Sequence, residues 1–345
     1  DGEGDPDDSP VTRQDYDFTI DWGDGTTETY TGDDPDPSHT YATAGSYAVA
    51  IRGTFPRVFL DATSGDGNEA NAQKLQSIDQ WGTIQWESME RAFAGAGNMT
   101  YNATDTPDLA NVTTMANMFS EADSFNGTIG TWDVSSVTDM GGMFRGAESF
   151  NGAIGDWDVS SVTDMGGNTS NFTGGMFNGA SSFNQDIGDW DVSNVSNMSL
   201  MFNDANSFNQ PLQSWDVSSV TDMTSMFDNA SVFDQPISTW DVSNVTNMSF
   251  MFRDTRFNKD ISSWDVSSVS NMRFMFSGTT FFNQEINDWD VSGVTDMTYM
   301  FSGSKVFNQS LNSWNVSSVE NMAVMFSRAE KFNGSIGNWN TSSVL

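Results

Sequence analysis

The chain has 345 residues, 37% of them apolar, enough for a sizeable core, and its 47 acidic against 13 basic side chains give a formal charge of −34. That charge repels phosphate backbones and anionic lipid, which argues against nucleic-acid and membrane-surface binding; it suits molar salt, where the Debye length shrinks to roughly 3 Å. Cysteine is absent, which excludes disulfides and thiol chemistry, and no run of about 18 apolar residues offers direct membrane insertion.

Residues 1–15 form an acidic N-terminal segment without a basic-then-apolar targeting pattern, so any export signal is expected outside this sequence. Residues 16–60 hold two alternating segments, "YDFTIDWGDGTTETYTG" and "HTYATAGSYAVAIRG", in which Gly23 and Gly25 supply permissive backbone for a tight turn. They predict a small N-terminal β-sandwich-like cap, followed by a polar connector at 61–73.

From residue 132 the chain is periodic. Tryptophans stand at 132, 157, 190, 215, 240, 264, 289, 314 and 339, in steps of 25 except for one of 33 and one of 24. With each Trp as position 0, apolar residues recur at +2, +5, +8, +11, +12, +15, +18 and +22. "WDVS" alternates like a strand, while +8, +11, +12 and +15 follow three-to-four spacing. The pattern predicts an α/β repeat, a solenoid of about 9 to 11 coils, each a short strand plus a short helix or 3-10 turn, with residues 74–131 as degenerate first coils. One coil alone cannot bury enough to fix its own backbone, so like residues must stack on like through a continuous core. Asn at +19 is expected to form a buried amide ladder between coils. The final "GNWNTSSVL" stops seven positions into a coil, which predicts that more chain or another subunit covers it.

Catalytic chemistry finds no constellation. The single His39 lies in "SHTYATAG", where a turn or strand-edge role is expected, and a periodic array gives its carboxylates like environments rather than the unlike pair that acid–base work needs. The chain is therefore read as not an enzyme. Calcium is the one cofactor considered: a column at +1 (Asp133, Asp158, Asp191, Asp216, Asp241, Asp265, Asp290) and Asp21 with Asp24 are weak metal candidates, with Asx-type turns to nearby Ser as the favoured alternative. Asn168, Asn171, Asn194 and Asn244 are glycosylation candidates, the first two inside the eight-residue insertion that makes the 33-residue step.

Position +10 is expected to face outward, yet it holds Leu200, Phe250, Phe274, Tyr299 and Val324; position +17 adds Val232, Phe281 and Val306. An apolar stripe on so charged a surface marks an interaction face.

The repeat W-D-V-S-x-V-x-x-M-x-x-M-F-x-x-A-x-x-F-N-x-x-I resembles that of the BspA-like leucine-rich-repeat surface proteins, over roughly residues 74 to 345, and "WGDGT" with its flanks is similar to part of a PKD-type module. The resemblance implies a leucine-rich-repeat-like solenoid, extracellular display and no catalytic residues. The expected function is a non-catalytic cell-surface scaffold for adhesion or self-assembly into a filament or lattice, in a salt-adapted microbe, contacting protein or glycan and associating with itself. The alternative is a lectin-like or receptor-binding module on a cell or virion, calcium-dependent through the Asp column.

Overall fold

The computed structural model describes residues 15–32, 34, 37–60, 69–167 and 174–345. Three strands, β1 (Asp17–Asp21), β2 (Thr27–Thr31) and β3 (Ala50–Thr54), form one antiparallel sheet in the order β2-β1-β3. Phe18 and Ile20 of β1 turn inward, and Phe55 packs edge-on against Phe18 and against Trp86, joining the sheet to the coils that follow. No second sheet faces this one among the described residues, so the N-terminal unit is a three-stranded sheet and not the expected β-sandwich-like cap.

A four-residue helix, α1 (Glu69–Ala72), precedes a two-residue parallel pairing of β4 (Ser77–Ile78) with β5 (Thr100–Tyr101). Beyond it, successive coils touch through single parallel bridges at +7, running from Thr114 to Asp139, Asp164, Asn197, Asp222, Asn247, Asn271, Asp296 and Asn321. The bridges step by one coil each time and pass the 33-residue step without losing register.

The coils overturn the expected α/β architecture. α1 is the only α-helix among the described residues, and the repeats contain neither a regular strand nor a helical turn. "WDVS" is not extended: the +5 N–H closes back on the +2 carbonyl, as from Val137 to Val134 at 2.9 Å. The three-residue spacing of the methionines comes from chained turns, with N–H to C=O bonds from +11 to +8, +13 to +10, +15 to +12 and +18 to +15. Alternate N–H groups in this stretch leave the coil altogether. In the coil at Trp240, Met248, Phe250, Phe252 and Asp254 donate to Asn271, Arg273, Met275 and Ser277 of the next coil at 2.8 to 3.0 Å. An α-helix would need those same donors for its own carbonyls, so stacking and helix are mutually exclusive here.

Two positions make both bond sets compatible. Residues at +10 and +14 have φ between 55 and 63 wherever they are not glycine, from Leu200 and Asp204 to Val324 and Arg328. A positive φ at the third residue of an i→i+3 turn is the type II signature, and it turns the next N–H along the stack.

The interior is a set of side-chain columns. Phe227 is fully buried, lies 3.9 Å from Phe233 within its coil and stacks on Phe202 and Phe252 of the coils on either side. Indoles reach back one coil: Trp240 Nε1 donates to the Leu212 carbonyl at 2.9 Å, and buried Trp157, Trp190, Trp215, Trp264, Trp289 and Trp314 and half-buried Trp339 do the same to the equivalent Ile or Leu. Along the +19 edge each Asn Oδ1 accepts the backbone N–H of its successor, from Asn126 to Asn151 and onward to Asn333, with Asp234 taking one place. These residues are half-buried or exposed, not buried as expected, because only the amide oxygen is needed between coils. Phe227→Ala removes ring contacts with Phe202, Phe233, Trp240 and Phe252 at once and is expected to lower stability by about 3–5 kcal/mol in urea unfolding, whereas a loss under about 1 kcal/mol would show that the column carries little.

Candidate interaction surface

The +10 residues stand at the turn where backbone geometry is most constrained. Leu200, Phe250, Phe274 and Tyr299 are half-buried and Val324 is 43% exposed, while Ser225 interrupts the series and is buried. Phe250, Phe274 and Tyr299 stack on one another across three coils, with centroids 4.8 and 4.5 Å apart and planes within 8°. Their faces are thus covered by each other and their edges point outward. Arg253 lies 5.0 Å over Phe250 and Arg273 lies 5.2 Å over Phe274, adding cation–π contacts at the flank. Of the +17 residues, Phe281 (55%) and Val306 (39%) are exposed in adjacent coils and Val232 is half-buried.

A bulky or β-branched side chain at positive φ costs roughly 1–2 kcal/mol relative to the right-handed regions. The earlier coils avoid that cost at +10 with Asn117 and Gly142. The later coils hold Phe, Phe, Tyr and Val in the same conformation, on a face where core packing does not require them.

The other sequence candidates have local roles. Every +1 Asp is exposed and its Oδ1 accepts the backbone N–H of the Ser two residues on, from Ser135 on Asp133 at 3.2 Å to Ser292 on Asp290 at 3.0 Å, and likewise for Asp158, Asp191, Asp216, Asp241 and Asp265. Hydrogen bonds from Ser135, Ser160, Ser218, Ser267 and Ser292 hold the carboxyls of Asp133, Asp158, Asp216, Asp265 and Asp290 below the usual range, outweighing the neighbouring charge of Asp158 on Asp133 and of Asp290 on Asp265. Asp21 caps Gly23 and Asp24 caps Thr26, each at 3.0 Å, and His39 Nε2 lies 2.9 Å from Asp24 Oδ2 with its ring stacked on Trp22. Among the described residues no group of three or more His, Asp or Glu side chains is placed to hold a metal ion. Asn194 and Asn244 are exposed, and their Nδ2 groups donate to the Ser160 and Ser218 carbonyls at 2.8 and 2.7 Å. Asn168 and Asn171 lie outside the described residues. The insertion that holds them leaves the turn intact, since Met176 N–H reaches Met165 O at 2.9 Å just as Met143 reaches Met140.

Sequence reading missed the charged residues around the stripe. Asp228 at +13 is 3% exposed and takes a two-pronged bond from Arg253, 2.7 Å on each oxygen. Burial nevertheless pushes its carboxyl up to about 6, against the pull of Arg253, and Asp204 and Asp254 on the flanking coils add to the rise. The signal in the sequence was the scarcity of cations, which makes each Arg conspicuous.

The stacked turns define a tandem-repeat protein in which like residues stack from coil to coil and the residues that differ between coils stand at positions such as +10. The chain belongs to the family described as "Mycoplasma protein of unknown function, DUF285", which matches residues 66–174, 168–259 and 253–345. No curated protein and no solved structure matches it.

Phe274→Asn exchanges about 0.5–1.5 kcal/mol of ring stacking for relief of a similar backbone strain, so its melting temperature should stay near that of the native protein. A loss above about 2 kcal/mol would place Phe274 among the core residues instead. For Asp228, the folded carboxyl holds its proton more tightly than the ordinary 3.8, so its contribution is most favourable below that value and is lost as pH rises through about 6. Stability should therefore slope downward between about pH 4 and 6 by up to about 3 kcal/mol from this group, and Asp228→Asn should flatten that slope in thermal melts across the range.

Proposed function

We propose that this chain is a non-catalytic scaffold displayed on the outside of a cell, of the BspA-like kind, which makes adhesive or self-assembling contacts through the +10 stripe of its later coils. The observation that carries this reading is the stripe itself: large apolar residues kept in a strained backbone conformation on an outward face, at a position that the first coils fill with Asn117 and Gly142. Among the described residues the interior is made of repeated columns of like side chains, an arrangement that favours contact over chemistry. The net charge of −34 favours a salty surrounding, where screening removes the self-repulsion of the acidic surface.

Lys305 and Lys331 are exposed and serve as reporters. Intact cells that make the protein natively, treated with a membrane-impermeant amine reagent, should yield it labelled at both lysines. Labelling that requires prior lysis would rule out display.

A further inference from the structure

Charge is distributed unevenly along the chain. Residues 240–345 carry seven basic and ten acidic side chains, net −3, whereas residues 1–239 carry six and 37, net −31. Two copies that meet through the first 239 residues repel strongly; the later coils are where they can approach closely. Those coils also hold the continuous part of the stripe, Phe250, Phe274, Tyr299 and Val324.

Four residues beyond each stripe position, the same coils read Asp254, Gly278, Gly303 and Arg328, all with left-handed backbone at φ 56, 70, 75 and 57. This neighbouring column is acidic at one end, basic at the other and bare between. Asp254 has 59% of its side chain exposed, and its nearest cation, Arg253, stands 4.0 Å away and is already engaged by Asp228. Arg328 is exposed.

We propose that a second copy of this chain docks here, antiparallel and stripe to stripe, across a two-fold axis between Phe274 and Tyr299. That register sets Phe250 against Val324 and Phe274 against Tyr299 of the second copy, and it brings each Asp254 to the other copy's Arg328. A parallel arrangement would instead carry the two +14 columns to opposite sides of the paired stripes, where Asp254 and Arg328 meet no counterpart, so only the antiparallel direction pairs the charges. Gly303 presents no side chain to hold the two surfaces apart, and over Gly278 lies the Asp254 carboxylate itself. The stripe spans three coil steps of about 4.8 Å, so the patch falls below the roughly 1,000 Å² of a stable interface. The dimer is accordingly weak in dilute solution and is favoured where display concentrates the chains, the one point at which it leans on the surface-scaffold reading.

Sedimentation velocity of the full chain, from about 10 μM to about 1 mM in about 0.5 M salt, tests this. A reversible monomer–dimer equilibrium is expected. Phe274→Asn with Tyr299→Asn, using the residue type that Asn117 already places at this turn, should weaken it at least about tenfold with an unchanged tryptophan emission maximum. Arg328→Asp and Asp254→Arg should each weaken it about tenfold, and the two together should restore it. A chain that stays monomeric at about 1 mM, a dimer indifferent to the stripe change, or a double charge swap as weak as its parents would each overturn the proposal. So would tight binding of an added polyanion or unrelated protein that leaves the chain monomeric. None of these outcomes bears on labelling of intact cells, so the dimer and the display reading can fail separately.

Discussion

The structure depends on one use of the backbone: in the coils from Trp190 to Trp289, the N–H groups at +8, +10, +12 and +14 bond to the next coil, while those at +11, +13 and +15 close turns within their own. A buried N–H must find a partner, and this division gives each of these a carbonyl, while the +9 N–H takes the side chain at +7, as Ser249 does on Asn247. The left-handed residues at +10 and +14 are what make the division geometrically feasible. Remove either, and the coil would have to choose between its turns and its neighbour.

A stack held this way tolerates local change so long as the bonded atoms remain. At +15, where Ala is common, Thr255, Thr279 and Ser304 bring buried hydroxyls, and each finds a backbone carbonyl: Thr255 and Thr279 that of Phe252, Ser304 that of Phe276. In the +19 edge Asp234 replaces Asn, and Lys259 of the next coil answers its charge at 2.7 Å. Met165 and Met176 are separated by eight more residues than their counterparts, yet both stay fully buried in their columns and still close the turn between them. Each exception is compensated within one coil, as expected for a quasi-one-dimensional fold whose parts feel only their neighbours.

The period, the buried columns and the +19 ladder are legible in the sequence because identical residues at identical spacing can satisfy one another only by stacking. The secondary structure is not, and the reason is physical. An i, i+3 spacing of apolar residues is shared by a helix and by a chain of turns, and periodicity alone cannot say where the N–H groups go. The distinguishing mark lay in the polar positions: Gly146, Gly179, Asp204, Asn229, Asp254, Gly278 and Gly303 at +14 are the residue types that tolerate a left-handed backbone, and they argue against a helix there. The alternation in "WDVS" misleads in the same way, since the Asp side chain closes an Asx turn on the Ser backbone N–H instead of standing beside Ser on the outer face of a strand.

That same backbone constraint explains why the candidate surface sits where it does. Position +10 is fixed in space by two bonds, its own N–H to the next coil and its carbonyl to +13, yet its side chain is free of the core. A residue placed there is rigidly aimed at almost no entropic cost, which suits an anchor meant to meet another surface. Glycine or asparagine would satisfy the turn with less strain, and Gly142 and Asn117 do so. Stacking among Phe250, Phe274 and Tyr299 offsets a similar amount. The fold therefore gains little from these rings, which stand in the stretch of lowest net charge in an otherwise strongly acidic molecule.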